Sequence, residues 1–433
     1  MTQAIFTRKP FQTHVPWVLL LSIALQCTLA LFFGHLYDMR INMATGYWVV
    51  TGHNPYIVQD LSAVFHNPLF HDFSTIGYPP PWALILGLIY KCVYSVFPNF
   101  LFYNFAIKIP IIAANIGLAY LTEHAIGKLG FEASVAKKAR NLLLLNPLVL
   151  ICSSAWGQID SIVALISLSA IILLNAQRLV CSAILLALAI SMKPIAMPLA
   201  FAAFVFLLSK NHWKLLWFFM AFITGLSVFC VMPFILFKWD PTVIFKNWNA
   251  HFIVAGCMSF MSISEIWNKS FQITGPWRYL GMLWAPALFV LTACCLKFKI
   301  TGPKELLKLC TVMILVFLLT RSWVSEPNVL LLLPFILILT SIGELDCTSF
   351  TLMWALPLGF SFFNGSLVAL LFPSAPGTMV MFIRQIDSYR LARLLARTIV
   401  ILPWFLAGWW IVLRYFKTMA LSKATKGETA PWK

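Results

Sequence analysis

Residues 15–33, VPWVLLLSIALQCTLALFF, run nineteen positions without a charged side chain. A bilayer core about 30 Å thick takes roughly 20 apolar residues of α-helix, so this stretch reads as a membrane span. Arg8 and Lys9 precede it and no small-x-small cleavage site follows, which makes it a retained first helix and not a signal peptide. The same character extends along the chain, where 61% of the 433 residues are hydrophobic and 10% charged. No water-soluble domain hides that much apolar surface. Apolar runs at 15–36, 101–122, 141–154, 159–175, 179–191, 195–209, 213–238, 280–297, 308–321, 328–342, 350–372 and 397–416 predict twelve spans. The expected fold is an all-α polytopic transmembrane helical bundle forming a single integral membrane domain over 1–433, with no internal repeat and no soluble domain.

The net charge of +17 does not point to nucleic acid, because the basic residues flank apolar runs, where they meet lipid head groups and set orientation. With a cytoplasmic N-terminus, the polar, aromatic segment Tyr37 to Pro81 is external. Two apolar runs follow, Trp82 to Phe97 and Leu101 to Leu121, before the basic segment holding Lys128, Lys137, Lys138 and Arg140. If both runs crossed, that basic segment would be external, against the cytoplasmic preference of Lys and Arg. The shorter run, broken by Lys91 and preceded by Pro79-Pro80-Pro81, is therefore expected to be interfacial or re-entrant. Lys210, Lys214, Lys297, Lys299, Lys304, Lys308, Lys417, Lys423 and Lys426 then fall inside, and the loop 239–279 outside. Two places fit this topology poorly: Glu344 and Asp346 fall inside, and Arg384, Arg390, Arg393 and Arg397 outside.

Eight of the ten cysteines lie in or beside apolar runs without CxxC spacing, so they read as packing residues. His53, His66, His71 and His251 have no metal-binding helical spacing, so no metal is expected. Walker, nucleophile-elbow and dinucleotide patterns are missing from the sequence, which argues against a nucleotide-driven machine.

The polar groups instead collect at the predicted outer ends of helices, where they are costly unless paired or facing a wet cleft. Asp38 follows the first span. A carboxylate there suits general-base work on an attacking hydroxyl, or else a helix cap or an exposed pair with Arg40. Trp156-Gly157-Gln158-Ile159-Asp160 interrupts two apolar segments, either as a tight capped turn or as a set of polar ligands. Ser191-Met192-Lys193-Pro194 leaves an ammonium at a helix end, where it snorkels or meets a phosphate. Leu319 to Asn328 places Arg321 and Glu326 between apolar runs, as a salt bridge or as an anion site with a planar, two-pronged donor.

In order, Tyr37-Asp38, Gly52-His53-Asn54-Pro55-Tyr56, Tyr78-Pro79-Pro80, Lys108-Ile109-Pro110, Trp156-Gly157-Gln158-Ile159-Asp160 and Met192-Lys193-Pro194 resemble the C-type (GT-C) membrane glycosyltransferases. The likeness is to mannosyltransferase-like members using polyprenyl-phosphate sugars, and covers roughly 15–340, leaving 341–433 as C-terminal helices. Two elements depart from the family pattern, Ala113-Ala114-Asn115 where an acid is common and Val324-Ser325-Glu326-Pro327 in place of a His-Glu-Arg-like element.

The resemblance implies interfacial helices in the first external loop and a polyprenyl- or dolichyl-phosphate sugar donor, most often mannose. It further implies a lipid, glycan or protein acceptor, inversion at the anomeric carbon, and a site on the extracytoplasmic face of the cytoplasmic membrane (the ER membrane in a eukaryote). On this reading Asp38 is the catalytic base, Lys193 and Arg321 bind the donor phosphate, and Tyr78, Gln158, Asp160 and Glu326 shape the sugar or acceptor pocket. No metal or other cofactor is expected. The competing class is a secondary transporter or lipid-linked sugar flippase, which also carries polar groups inside a bundle.

Overall fold

A computed structural model describes residues 16–244, 255–266, 280–298, 300 and 302–427; Arg8, Lys9, His251, Lys299 and much of the 239–279 loop lie outside the described residues. The longer helices, numbered in chain order, are α1 (Trp17–Phe32), α2 (Leu36–Val50), α3 (Pro80–Ile89), α4 (Phe100–Lys128), α5 (Ala133–Leu144), α6 (Asp160–Asn175), α7 (Leu179–Met192) and α8 (Pro198–Leu208). They continue with α9 (His212–Leu226), α10 (Trp284–Cys295), α11 (Pro303–Thr320), α12 (Leu333–Ser341), α13 (Cys347–Phe363), α14 (Pro376–Ser388) and α15 (Arg390–Gly427). Among the described residues the only sheet is a pair of two-residue parallel strands, Gly256–Cys257 against Trp323–Val324.

Local chemistry sets where these helices start. Asn99 accepts from the Phe102 amide and opens α4, and Asp346 accepts from the Ser349 amide and opens α13. Each side chain satisfies a backbone donor that the first helical turn leaves over. Lys193 precedes a proline, which disfavours helical geometry at the residue before it, and its extended backbone ends α7 there.

The core is built on α11, whose residues from Leu306 to Leu319 are buried on nearly every side except at Lys308. A helix apolar all round belongs at the centre of a bundle, and α8, α10 and α15 pack around it. By contrast α9 turns Trp213 (71% exposed) and Trp217 (66%) outward together with Phe219, Met220 and Ile223. That continuous apolar face matches lipid and not water.

The expected span count is not established. Among the described residues, three helices are long and apolar enough to cross a membrane, Phe100–Lys128, His212–Leu236 and Arg390–Met419. A fourth arises if Ala133–Ala155 and Asp160–Asn175, bent by 117°, form one broken span; Trp17–Phe32, Leu179–Met192, Pro194–Leu208, Leu280–Cys295 and Cys347–Phe363 are apolar but shorter. Several runs read as single spans are divided. Asn146-Pro147 breaks the run near 141–154, and Gly365 in the left-handed region (φ +78°) ends the helix within 350–372. The segment after the first span is also more ordered than a loop: α2 occupies Leu36–Val50, buries Met39, Met43, Ala44 and Trp48, and packs on α3. The short run after Trp82 is the helix Pro80–Ile89, extended by a wider turn through Tyr94.

Candidate active site

The site is organised by a break in the chain between α1 and α2. Phe33 is extended, the Gly34 amide donates to the Leu370 carbonyl (2.7 Å), and the His35 amide donates to the Trp156 carbonyl (3.1 Å). Asp38 then falls in the first turn of α2, where the partial positive charge of a helix N-terminus favours a carboxylate.

The opposite wall comes from Trp156-Gly157-Gln158. Gly157 has φ +93°, and a Cβ there would stand 2.5 Å from Met39 Sδ and 3.1 Å from Lys108 Cε. Only glycine satisfies both the conformation and the space. The turn presents the Trp156 indole, which donates from Nε1 to Asp38 Oδ2 at 2.6 Å. His35 stacks on the indole with centroids 4.1 Å apart and planes 13° apart, and its Nδ1 lies 3.1 Å from the same oxygen. Asp38 Oδ1 has no hydrogen-bond partner among the described residues, and the side chain keeps 19% of its surface. Burial pushes this carboxyl up, but His35, the Trp156 N–H and the nearby Lys193 charge outweigh it and hold it below the usual carboxylate range. Arg40 does not pair with Asp38: its guanidinium donates to the Leu36, Leu69 and Asp72 carbonyls.

Next to this carboxylate is a second polar node. Lys193 Nζ donates to Asp160 Oδ2 (2.6 Å) and Gln158 Oε1 (3.0 Å), and stands 5.1 Å from the centre of the Tyr78 ring. Tyr78 Oη is 3.5 Å from Gln158 Oε1. Asn328 donates to the other Asp160 oxygen at 3.1 Å and accepts from the Ser325 amide, tying this node to the Ser325–Asn328 turn.

Arg321 ends α11 with an extended backbone, held by the Ser259 hydroxyl on its carbonyl (2.6 Å). Its guanidinium lies 4.9 Å from the centre of the Phe317 ring, within electrostatic range of Tyr78 and Asp160, and has no hydrogen-bond or ion-pair partner among the described residues. The structure thus gathers Asp38, Tyr78, Gln158, Asp160, Lys193 and Arg321 into one neighbourhood.

Asp160 and Glu326, expected to line the sugar or acceptor pocket, are both wholly buried. Asp160 fixes Lys193. Glu326 Oε1 accepts from Ser366 (3.0 Å) and lies 3.5 Å from the Ser361 hydroxyl, bracing α13 and the turn after it.

Sequence reasoning passed over His35, which touches the carboxylate, and the buried pair Glu265–Arg397. Arg397 contacts both Glu265 oxygens at 3.3 and 3.4 Å and stacks over Phe360, with each partner 4% exposed. Its burial explains one of the arginines that fitted the external assignment poorly. No group of three or more His, Cys, Asp or Glu among the described residues is placed to hold a metal ion.

No family model and no curated protein matches this sequence. The fold is similar to that in the crystal structure of ArnT from Cupriavidus metallidurans bound to undecaprenyl phosphate. The TM-score is 0.50 and the identity 12%, over 93% of this chain and 77% of that one. This is therefore an ArnT-like, mostly helical membrane-protein fold, and at that identity the likeness extends to the fold alone.

Proposed function

We propose that this chain is a GT-C membrane glycosyltransferase that moves a sugar, with mannose leading, from a polyprenyl or dolichyl phosphate to an acceptor hydroxyl on the extracytoplasmic face. The ArnT-like fold supports the class, and the undecaprenyl phosphate bound to ArnT supports the donor lipid. The observation that carries the chemistry is the division of labour at Asp38: Oδ2 accepts from the Trp156 indole and lies beside His35 Nδ1, while Oδ1 is left without a partner among the described residues, within electrostatic range of Lys193.

Asp38 Oδ1 accepts the proton of the acceptor hydroxyl as its oxygen attacks the anomeric carbon. The bond from that carbon to the phosphate oxygen breaks on the opposite face, which inverts the centre, and its electron pair leaves with the phosphate. A lipid phosphate needs no strong general acid to depart. The growing charge falls to Arg321, which has no ion-pair partner among the described residues, and to Lys193, whose ammonium has three N–H donors and commits two of them to Asp160 and Gln158. Tyr78 and Gln158 shape the sugar pocket, Asp160 holds Lys193 in place, and Glu326 braces the wall from inside.

Incubating the purified protein in lipid nanodiscs with a panel of polyprenyl-phosphate sugars and membrane extracts tests the reading. Transfer of sugar from one donor, with free lipid phosphate released, is the expected result. A donor moved across a sealed bilayer with its glycosyl phosphate bond intact would instead establish the flippase alternative.

A further inference from the structure

The lysine of Lys108-Ile109-Pro110 takes no part in the chemistry above, yet it sits inside α4 with no exposed surface. Among the described residues it has no acidic partner. Its ammonium donates to three backbone carbonyls: Ala30 (3.3 Å), Phe33, and Ala155 (2.9 Å). Ala30 and Phe33 stand at the end of α1, and Ala155 at the end of the turn before Trp156. Both ends expose carbonyls that no further helical turn satisfies, and both carry the partial negative charge of a helix C-terminus. One side chain therefore caps two helix ends at once.

Each capped end runs straight into the site. Phe33 leads within a few residues to His35 and Asp38, and Ala155 directly to Trp156, so the two ends carry the groups that meet on the Asp38 carboxylate. Asn104, one turn earlier on α4, donates to Ala30 (2.7 Å), Leu31 (3.2 Å) and Phe33 (3.0 Å), but not to Ala155. Of this pair, Lys108 alone bridges the two ends.

We propose that Lys108 is a positioning residue for Asp38: by capping the end of α1 and the Ala155 turn together, it sets how the Trp156 indole approaches the carboxylate. The proposal rests on the reading of Asp38 as the base, and its test includes an arm independent of that reading. Lys108→Met keeps the bulk and removes all three donors; Lys108→Gln keeps two donors at shorter reach; Asn104→Leu removes the other side-chain donor at the end of α1 and leaves the bridge. Hydrogen exchange of the whole protein in nanodiscs should quicken for Lys108→Met in both 33–38 and 155–160, and for Asn104→Leu at the end of α1 only.

With a donor used by the wild type, Lys108→Met should lose roughly 10- to 100-fold in turnover, the usual cost of a small misplacement of a reacting group. Its affinity for undecaprenyl phosphate should hold, and Lys108→Gln should recover part of the rate. The acid limb of its pH profile should rise as Trp156 loosens, with His35 and Lys193 still facing Asp38, whereas Asn104→Leu should leave that limb in place. Wild-type turnover with an unmoved acid limb in Lys108→Met, or an exchange pattern matching that of Asn104→Leu, would overturn the proposal. If no donor is used by the wild type, the glycosyltransferase reading fails while the exchange data still decide the role of Lys108.

Discussion

Trp156 and Asp38, 118 residues apart, meet at 2.6 Å through a single indole N–H on one carboxylate oxygen. This contact leaves the other oxygen without a partner among the described residues, and in the proposed mechanism that oxygen takes the acceptor's proton. Asp38→Asn retains the shape but cannot take up a proton, so turnover should fall about 10²-fold or more, as for loss of a general base. Donor binding should persist, because no cation is removed from the phosphate. Well-folded Asp38→Asn protein with near-normal transfer would sink the mechanism.

Trp156→Phe keeps an aromatic face for His35 and deletes the N–H. Asp38 is held below the usual carboxylate range despite a burial effect that pushes it up, so it stays ionised down to a lower pH than a free carboxylate. Losing one of the opposing interactions should move the acid limb of kcat/KM upward. By linkage, the stability that an ionised Asp38 supplies is present above its unfolded pKa and lost as pH falls through the folded value, so the variant should also lose acid tolerance.

Arg321→Ala removes a guanidinium that has no hydrogen-bond or ion-pair partner among the described residues and loses one contact with the Phe317 ring, so folding should be little affected. If the guanidinium receives the donor phosphate, affinity for polyprenyl phosphate should drop by about 1.5–3 kcal/mol, or roughly 10- to 100-fold. Titration of the lipid phosphate into purified protein reads this directly, and unchanged affinity removes Arg321 from the site.

Asp160→Asn should behave differently. It leaves the buried Lys193 ammonium short of its counter-charge, and breaking such a pair from one side costs about 3–5 kcal/mol. Thermal denaturation should show the loss. The double variant Asp160→Leu with Lys193→Met should regain much of the stability but none of the donor affinity, which separates the pair's structural role from its ligand role.

The topology has its own check. Asp60 and Lys137 are both exposed, so Asp60→Cys and Lys137→Cys, each in a background lacking the exposed Cys92, Cys181 and Cys347, are accessible to labelling. A membrane-impermeant maleimide applied from outside should label the first and not the second. Labelling of both from one side would show that the Trp82 run crosses the membrane.

The sequence carried the helical class and most members of the candidate site because both are local signals: uncharged runs of span length, and short polar motifs interrupting them. Gly157 reads as a turn glycine from its neighbours alone, and its positive φ agrees. Contacts across long separations leave no such trace. Nothing near His35 announces that it will stack on Trp156, and Glu265 and Arg397 sit 132 residues apart in segments that read as an outer loop and an ill-fitting basic patch. Leu36–Val50 looked like loop because it mixes Asp38, Arg40 and Asn42 with apolar residues at no clear period, and its helix is stabilised by packing on α3 more than by its own pattern. Asp160 and Glu326 stand out as acids between apolar runs, but residue type alone does not show that both are wholly buried.

The break at Phe33-Gly34-His35 also limits how the chain length can vary. Gly34 has no room for a side chain: a Cβ would lie 2.6 Å from Asn104 Oδ1 and 2.9 Å from Pro373 Cγ. The backbone groups on either side are already committed, to Lys108, Leu370 and Trp156. Adding or deleting one residue would turn everything downstream in α2 by about 100° around the helix axis. Asp38 would then swing off the indole while every residue type remained in place. The spacing between α1 and α2 is thus a frame of fixed count, in contrast to the connection at Leu129–Glu132, where an extra residue beside the exposed Gly130 would be absorbed without any such rotation of the site.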